Sequence, residues 1–349
     1  MIIAGGGTGG HILPALAIAK AVKDLDPDVD IHFVGTAKGL ETRLVPKENF
    51  PLHLIPVSGI KNLSIKNKIK AFCQLPFAFF KSMQLIMKLK PDVVLGVGGY
   101  ASGPLLLMAA FLRKKTILWE PNAHPGLTNR ILSRFVPVAI VVFKDSQKYL
   151  RSQKILPMGM PLRKGIEAKP REPHSTLRVL IFGGSQGARG INNTVSESLL
   201  RGGDWLEGVE FVHQTGALDF ERISRVYKEH SVGVDCQAFL YDMEKRYAWA
   251  DLVICRSGAN TVAEIAAAQK AAVFVPFPYA ADDHQKKNAE SLAERGAAIL
   301  VEQMSFTPDK FIELIKTFKS EPDRISQMEK LVYQFHQPNA SHTIAQLLL

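Results

Sequence analysis

The chain has 349 residues, more than one hydrophobic core usually serves, so two domains are expected. Hydrophobic residues make up 46% and charged residues 22%, which is typical of a globular enzyme and excludes a disordered or fibrous chain. The 43 Lys and Arg residues exceed the 33 Asp and Glu residues, giving a net charge of +10. This charge favours polyanionic partners such as nucleic acid, phosphorylated substrates or an anionic membrane surface.

The three cysteines, Cys73, Cys236 and Cys255, are scattered and form no CxxC motif. They predict a reducing compartment, with neither a disulfide framework nor a zinc site. No charged leader precedes an apolar stretch, so a secretion signal is not expected. No apolar run approaches the roughly 18–20 residues that spanning a bilayer requires.

Short apolar runs alternate with longer amphipathic ones along the chain. The short runs are rich in Val, Ile and Phe and lack polar alternation, which is typical of parallel strands buried on both faces. The predicted strands are 2–5, 31–35, 92–97, 116–120 and 139–143, then 178–184, 210–216, 251–257, 272–277 and 298–302. This alternation predicts a doubly wound α/β architecture.

One unit occurs twice in this pattern. MIIAGGGTGGH at the start is echoed by VLIFGGSQGAR near residue 180, and a Pro-, Gly- and charge-rich stretch at 158–175 separates the two as a predicted linker. A strand, a glycine turn and a helix together present backbone N–H groups at the positive end of a helix, which suits phosphate or pyrophosphate. A third glycine loop, GVGGYASGP at 96–104, makes simple tight turns without a ligand a weaker explanation.

The first glycine loop also fits a dinucleotide-binding dehydrogenase. Gly5, Gly7 and Gly10 satisfy the GxGxxG pattern. That pattern expects Asp or Glu at the end of the second strand to hold a ribose, whereas this strand ends Val-Gly-Thr at 34–36. The dehydrogenase interpretation is weakened accordingly.

The second glycine loop also fits a hydrolase. GGSQG at 183–187 matches the GxSxG nucleophile elbow, and the run Asp282, Asp283 and His284 could supply triad partners. The first loop has no serine at the matching place. One phosphate-binding chemistry that explains both loops is therefore favoured over a hydrolase.

Five motifs in chain order resemble the bacterial MurG family: AGGGTGGH, DVVLGVGGYASGP, GGSQGAR, AWADLVICRSGANTVAE and DDHQKKNA. That family transfers N-acetylglucosamine (GlcNAc) to convert lipid I to lipid II in peptidoglycan synthesis. The resemblance spans essentially the whole chain. It implies the α/β GT-B fold, with two Rossmann-like, doubly wound parallel-sheet domains facing a cleft.

The predicted linker sets the domain boundaries, and the resemblance adds a last helix that returns to the first domain. An N-terminal acceptor and membrane domain is expected at 1–160, with a C-terminal helix at 338–349 packing back on it. A domain that binds UDP-GlcNAc is expected at 161–337.

The donor, UDP-GlcNAc, is assigned by this resemblance mainly to the second domain. Ser185 would hydrogen-bond the diphosphate together with loop amides, Glu264 would accept from both ribose hydroxyls, and Leu240 borders the uracil. Gln285 and Asn122 would read the GlcNAc hydroxyls, since amides both donate and accept. The other implied donor contacts are Thr8, Gly9, Gly10, Arg163, Ala259, Asn260, Thr261, Val262 and Ala263. Without the resemblance, Glu264 would be interpreted as a charge that stabilises a helix N-terminus and Arg163 as a solvated linker charge.

The pyrophosphate of the acceptor, lipid I, is assigned to the first domain. The implied contacts are Gly5, Gly6, Gly7, Gly98, Gly99 and Tyr100. The acceptor's C4 hydroxyl must lose a proton as it attacks the anomeric carbon, and His11 directly follows the first loop. Because an imidazole ordinarily has a pKa near 6.5, His11 is predicted to be the general base. The alternative is a histidine that caps the helix or contacts phosphate.

The chain departs from the family at 119–122, where WEPN replaces the usual HEQN. Trp119 and Pro121 are expected to alter the wall of the cleft, and Pro121 removes a backbone donor. No convincing cluster of metal ligands is recognised in the sequence, so neither a metal nor a cofactor is expected. The alternatives are a GT-B transferase with a different lipid-linked acceptor and a nonenzymatic scaffold that binds a nucleotide sugar.

The segment from Asn49 to Pro91 contains no Asp or Glu. Its lysines, which alternate with apolar and aromatic residues, are Lys61, Lys66, Lys68, Lys70, Lys81, Lys88 and Lys90. This pattern suits a surface that lies on anionic lipid, although a core helix with a solvated lysine face is the plainer explanation. We expect peripheral attachment to the cytoplasmic face of the bacterial inner membrane, where a cell-wall synthesis assembly could also bind. No nucleic-acid partner is expected, because no binding motif for one is present.

Overall fold

The computed structural model describes residues 1–57, 65–162, 165–169, 174–184 and 186–349, without the side chains of 65–73. The chain divides into two compact units. The first contains Met1–Leu162 together with Gln337–Leu349, and the second contains Arg163–His336. Each unit is built on one parallel sheet flanked by helices.

The first unit has a seven-stranded parallel sheet in the order β3-β2-β1-β4-β5-β6-β7. Its strands are β1 Ile2–Ala4, β2 His32–Gly35, β3 Leu52–Leu54, β4 Val93–Gly96, β5 Lys115–Glu120, β6 Val138–Val141 and β7 Lys154–Pro157. Its helices are α1 Gly9–Leu25, α2 Glu41–Lys47, α3 Ile65–Leu89, α4 Ser102–Phe111 and α5 Leu127–Leu132, with a 3-10 turn at Lys144–Tyr149. The last helix of the chain, α13 Ala340–Leu348, packs on α1.

The second unit has a six-stranded parallel sheet in the order β10-β9-β8-β11-β12-β13. Its strands are β8 Leu177–Phe182, β9 Val209–Gln214, β10 Asp235–Gln237, β11 Leu252–Cys255, β12 Ala271–Phe274 and β13 Ile299–Leu300. Its helices are α6 Arg189–Leu200, α7 Ala217–Glu229, α8 Met243–Trp249, α9 Ala259–Ala268, α10 His284–Ala293, α11 Pro308–Ser320 and α12 Pro322–Tyr333. Short 3-10 turns lie at Asp204–Leu206, Ala281–Asp283 and Gln303–Ser305.

All ten predicted strands are present, and three further strands were not predicted. The additional strands are β3, β7 and β10, with the sequences LHL, KILP and DCQ. Each of the three lies at an edge of its sheet. An edge strand is covered less completely and can carry polar residues, so it lacks the continuous apolar run by which buried parallel strands are recognised.

In each sheet the strand order changes direction beside the first strand of the unit. In the first unit β1 lies between β2 and β4, and in the second β8 lies between β9 and β11. The chain leaves such a pair of neighbouring strands in opposite directions, which opens a crevice at their carboxyl ends where ligands of open α/β sheets bind. The two glycine loops follow β1 and β8, so both start at these crevices.

A buried carboxylate supports the first glycine loop. Glu41, at the start of α2, has no exposed surface. Its Oε2 accepts from the Gly7 N–H at 2.7 Å, and its Oε1 accepts from the Thr36 N–H at 2.8 Å and from the Thr36 hydroxyl at 3.0 Å. A side chain at Gly6 would collide with this carboxylate, so a glycine is required there. Glu41 therefore ties the loop after β1 to the loop after β2.

We predict that Glu41→Gln loosens the first glycine loop. The glutamine oxygen can accept from only one side, and its NH₂ group would face an N–H donor on the other. Leaving buried donors unpaired should lower the stability of this region by roughly 1–3 kcal/mol. Hydrogen–deuterium exchange measured by mass spectrometry should show faster exchange at 5–10 and at Thr36.

Glu48→Gln is the matched control for this prediction. Glu48 follows the same helix, is exposed and pairs with Lys20 at 2.8 Å, so its loss should cost no more than about 1 kcal/mol. Equal exchange at 5–10 in the two variants would contradict the role given to Glu41.

Candidate functional site

In the first unit, the loops after β1 and β4 lie against each other. A Cβ on Gly5 would collide with the carbonyl of Gly98. The imidazole of His11, in the first turn of α1, packs on Gly98, where a Cβ would lie 2.8 Å from the ring's Cε1. Glycine at 98 therefore lets the ring approach the loop after β4. The fold thus brings together His11 and both loops to which the acceptor's pyrophosphate was assigned.

Not all amides of the first loop face a ligand. The Gly5 N–H donates to the carbonyl of Val34 at 3.0 Å, and the Gly7 N–H donates to Glu41. These two amides hold the loop, contrary to the expectation that the glycines there bind an anion through them. The first turn of a helix lacks intrahelical partners for its N–H groups, so the donors offered to an anion are those at Thr8, Gly9 and Gly10. Thr8 is exposed at the N-cap of α1, and Tyr100 is half exposed beside Gly99.

A second buried carboxylate lies at the carboxyl end of β5. Glu120 accepts from the N–H of Asn122 at 2.8 Å and from its Nδ2 at 3.2 Å, from Asn129 Nδ2 at 2.8 Å and from the Gly126 N–H at 3.3 Å. Burial raises the pKa of Glu120 to about 7, although these hydrogen bonds oppose the shift. Glu120 thus orients the side chain of Asn122 and holds the loop between β5 and α5.

The two departures from the family pattern flank Glu120. The side chain of Trp119 is completely buried, and Pro121 is buried as well. Neither side chain therefore presents a surface to solvent, and their effect on the wall of the cleft stays a prediction.

The second unit has a pocket of about 430 Å³ at the carboxyl ends of β8 and β11. Its wall combines the second glycine loop with the first turns of α6 and α9 and the segment after β12. The lining residues are Gly183, Gly184, Gly187, Ala188, Arg189, Gly190, Arg256, Gly258, Thr261, Phe277, Gln285 and Gln303. Thr261 and Gln285 are the predicted donor contacts among them.

Backbone contacts fix the orientation of Gln285. Its Oε1 accepts from the Phe277 N–H at 3.0 Å, and its carbonyl oxygen accepts from the Ser257 hydroxyl at 2.8 Å. With its side-chain oxygen engaged in this way, Gln285 offers its NH₂ group as a donor. This arrangement suits a hydrogen bond from the NH₂ group to a sugar hydroxyl.

Glu264 lies one helical turn after Thr261 on α9, on the same face of the helix. Its Oε2 accepts from the hydroxyl of Tyr247 at 3.0 Å, and Tyr247 is 1% exposed. Tyr247 is a residue that the sequence analysis missed. No local signal points to it, because 17 positions along the chain separate it from Glu264.

The other residues of the second unit that were predicted to contact UDP-GlcNAc differ in how far they are buried. The side chain of Val262 is buried and its N–H donates to the carbonyl of Gly258 at 3.0 Å, so neither group is available to a ligand. Ala259, Asn260 and Ala263 are half-buried in α9. The side chain of Leu240 is buried, whereas its chain neighbours Phe239 and Tyr241 are exposed and their rings contact each other. Arg163 and Ser185 lie outside the described residues.

The geometry around His284 does not support a hydrolase triad. Its Nδ1 is hydrogen-bonded to the carbonyl oxygen of Ala281 at 2.7 Å. In a triad, that ring nitrogen donates to the carboxylate of the third member. Among the described residues there is also no group of three or more His, Cys, Asp and Glu side chains that could hold a metal ion.

Two family descriptions match the chain, one in each unit. Residues 1–140 match the N-terminal domain of glycosyltransferase family 28, and residues 178–344 match its C-terminal domain. The crystal structure of Acinetobacter baumannii MurG superposes with a TM-score of 0.82 at 34% identity, covering 99% of this chain and 98% of that one. The expected GT-B architecture of two parallel-sheet α/β domains is thereby confirmed.

Two curated relatives carry the same name, UDP-N-acetylglucosamine--N-acetylmuramyl-(pentapeptide) pyrophosphoryl-undecaprenol N-acetylglucosamine transferase. The protein from Bdellovibrio bacteriovorus is 45% identical over 351 aligned residues, covering 100% of this chain and 98% of the relative. The protein from Myxococcus xanthus is 40% identical and covers 99% of this chain and 91% of the relative. The chain therefore belongs to the MurG family of N-acetylglucosamine transferases, within glycosyltransferase family 28.

Proposed function

We propose that the chain transfers GlcNAc from UDP-GlcNAc to the C4 hydroxyl of N-acetylmuramic acid in undecaprenyl-pyrophosphoryl-MurNAc-pentapeptide. This reaction converts lipid I to lipid II in peptidoglycan synthesis, with inversion at the anomeric carbon. The observation that carries the proposal is the full-length identity of 45% to a relative named for this transfer. The alternative is a transfer to a different lipid-linked acceptor.

The second unit supports the donor half of the reaction. Its pocket joins the second glycine loop to two helix N-termini, which suits a diphosphate. Glu264 offers a carboxylate oriented by Tyr247, which suits the two ribose hydroxyls, and Gln285 offers an amide to the sugar. These groups match the parts of a UDP-sugar.

The first unit supports the acceptor half. The first turn of α1 offers backbone donors to a pyrophosphate, and His11 stands in that turn against Gly98. We infer that His11 accepts the proton of the C4 hydroxyl as its oxygen attacks C1. The bond between C1 and the β-phosphate oxygen breaks in the same displacement, and UDP leaves with the electron pair.

The acceptor is tested by offering radiolabelled UDP-GlcNAc with lipid I or with a diacylglycerol. The proposed function predicts label in a lipid product with lipid I alone. Labelling of the diacylglycerol instead would support the alternative acceptor. If no UDP is released with either acceptor, transfer to lipid I and transfer to the diacylglycerol are both excluded.

The role of His11 predicts that His11→Ala lowers kcat by about 10²–10⁴-fold, the usual contribution of a positioned base. The Kd for UDP-GlcNAc should stay within about threefold, because the loss is of chemistry and not of binding. Transfer kinetics and calorimetry measure the two quantities. His230→Ala, at an exposed histidine of the second unit, should keep the wild-type values. A wild-type kcat in His11→Ala would assign proton removal to another group.

The donor contacts predict two different patterns of loss. Glu264→Ala should weaken UDP and UDP-GlcNAc alike, by roughly 10–100-fold, because both contain the ribose and a charged hydrogen-bond partner is lost. Gln285→Ala should weaken UDP-GlcNAc more than UDP, since it is assigned to the sugar. Titration calorimetry with both ligands measures the split. Equal losses of both ligands in Gln285→Ala would remove that residue from the sugar site.

We further propose that the chain attaches peripherally to the cytoplasmic face of the inner membrane, through the segment that lacks acidic residues. In the part of α3 with described side chains, Phe77, Phe80 and Met87 are exposed, at 71%, 54% and 63%, beside exposed Lys81 and Lys88. Such a surface suits apolar insertion with lysines at the headgroups. The side chains of Lys61, Lys66, Lys68 and Lys70 lie outside the described residues. No helix in the described part of the chain is both long and apolar enough to cross a membrane.

The attachment predicts that co-sedimentation with vesicles rises with phosphatidylglycerol content and falls with salt. Replacing Lys66, Lys68 and Lys70 by Glu should weaken binding at least about tenfold, since each basic residue near an anionic surface contributes about 1 kcal/mol. The matched control replaces three exposed lysines of the second unit, Lys228, Lys245 and Lys316, by Glu. An equal loss in both triple variants would contradict attachment through this segment.

A further inference from the structure

Three polar side chains of the second unit, none of which the sequence analysis assigned, form a buried hydrogen-bonded chain. His213 lies near the carboxyl end of β9, Asn192 lies in α6 and Tyr227 lies in α7. The three residues are at most 3% exposed. Apolar side chains of similar size would fill the same space without the cost of burying polar groups. The chain therefore calls for a role beyond packing.

Asn192 fixes the direction of every hydrogen bond in this chain. Its Nδ2 donates to the carbonyl oxygen of Thr215 at 2.8 Å and to Asp219 Oδ2 at 2.9 Å, two groups that only accept. The Asn192 Oδ1 must then accept the 3.1 Å bond from His213, so the proton of this imidazole is on Nε2. The His213 Nδ1 accepts in turn from the Tyr227 hydroxyl at 2.8 Å. Burial lowers the pKa of His213 to about 3, so the ring is neutral, as this arrangement requires.

The far end of the chain of hydrogen bonds is the loop after β9, which lies against the second glycine loop. A Cβ on Gly187 would collide with the carbonyl oxygen of Thr215, and a Cβ on Gly216 would collide with the carbonyl oxygen of Gln186. Both glycines have a positive φ, of 75° and 83°. The two backbones thus touch with no side chain between them, so a shift of one loop displaces the other.

The loop after β9 can act on a ligand of the pocket only indirectly. Among the described residues, the lining of the pocket includes Gly183, Gly184 and Gly187 but neither Thr215 nor Gly216. The loop after β9 therefore supports the glycine loop from outside the pocket. Its own position depends on the Asn192 amide, and the orientation of that amide depends on His213.

We propose that His213 is a positioning residue for the nucleotide donor: through Asn192 it holds the loop after β9 against the second glycine loop, and so fixes the backbone of the glycine loop for a diphosphate. The inference rests on the proposed function. Backbone groups that are fixed before the ligand arrives lose little conformational freedom on binding, which increases affinity. A ligand without phosphates gains nothing from this support.

The test measures the binding of UDP and of uridine, which lacks the diphosphate, by titration calorimetry on the full chain. His213→Leu removes both the donor and the acceptor of the ring, whereas the amide of His213→Gln retains one of each. Trp205→Phe is the matched control. It removes a buried N–H that donates to the carbonyl of Gly202 at 2.8 Å, beyond the other end of α6. Thermal unfolding measures the stability that each variant loses.

His213→Leu should weaken UDP by roughly tenfold, the scale of one net hydrogen bond, and leave uridine within about threefold. His213→Gln should recover most of the UDP affinity. Trp205→Phe should bind both ligands as the wild type does, although it is less stable. In transfer assays of His213→Leu, the KM for UDP-GlcNAc should rise while kcat stays within about threefold, because the loop holds the donor alike before and during the reaction.

Three outcomes would overturn the proposal while leaving the proposed function intact. The first is a wild-type UDP affinity in folded His213→Leu. The second is an equal loss of UDP and uridine in that variant, which is what a general loosening of the unit would produce. The third is a His213→Gln variant that binds UDP no better than His213→Leu. Failure of the wild type to bind UDP at all would instead overturn the proposed function, and this inference with it.

Hydrogen–deuterium exchange of the wild type covers the case in which His213→Leu does not fold. If the two loops are coupled, UDP should slow exchange both at 183–190 and at 215–220, whereas uridine should leave 215–220 unchanged. Protection by UDP that is confined to 183–190 would contradict the support of one loop by the other.

Discussion

The functional parts of this protein depend on the positive ends of four helices, which lie at the carboxyl edges of the two sheets beside the central strands. Parallel strands deliver their carboxyl ends to one edge of the sheet, and helices α1, α4, α6 and α9 start at that edge after the central strands. None of these four helices has an acidic residue in its first turn. By contrast, α7, α8, α11 and α12 each carry one. Helices α3, α5, α10 and α13 also lack an acidic residue in their first turns. The four that start beside the central strands do so where an anionic ligand can supply the missing charge.

Each unit has a buried charge beside its glycine loop, and the two charges have opposite signs. In the first, the carboxylate of Glu41 binds amides of the loop after β1 and so reduces the number of donors that an anion can reach. In the second, the guanidinium of Arg256 adds a charge to the loop after β8. Repetition of one strand-loop-helix unit therefore does not produce two equivalent phosphate sites. The buried charge beside the glycine loop is positive in the second unit and negative in the first.

Neighbouring groups hold the candidate side chains in place. Tyr247 orients Glu264, the Phe277 amide orients Gln285, and Glu120 orients Asn122. Side chains that are fixed before a ligand arrives lose little further conformational freedom on binding, and they present their polar atoms in one geometry. The partners of these residues are therefore as informative about the site as the residues themselves.

The sequence by itself determined the fold class, the two glycine loops and the position of His11 in the first turn of a helix. Continuous apolar runs and glycine clusters are local patterns, and local patterns can be recognised in a single sequence. It did not reveal the edge strands β3, β7 and β10, because their half-covered faces carry polar residues. Nor did it reveal which loop amides are already bonded. Only the tertiary structure decided that Glu41 lies under the first loop and that Tyr247 reaches Glu264. The contacts of Glu41 with Gly7 and of Tyr247 with Glu264 join positions 34 and 17 residues apart in the chain, and the packing of loops and helices around the sheets brings them together.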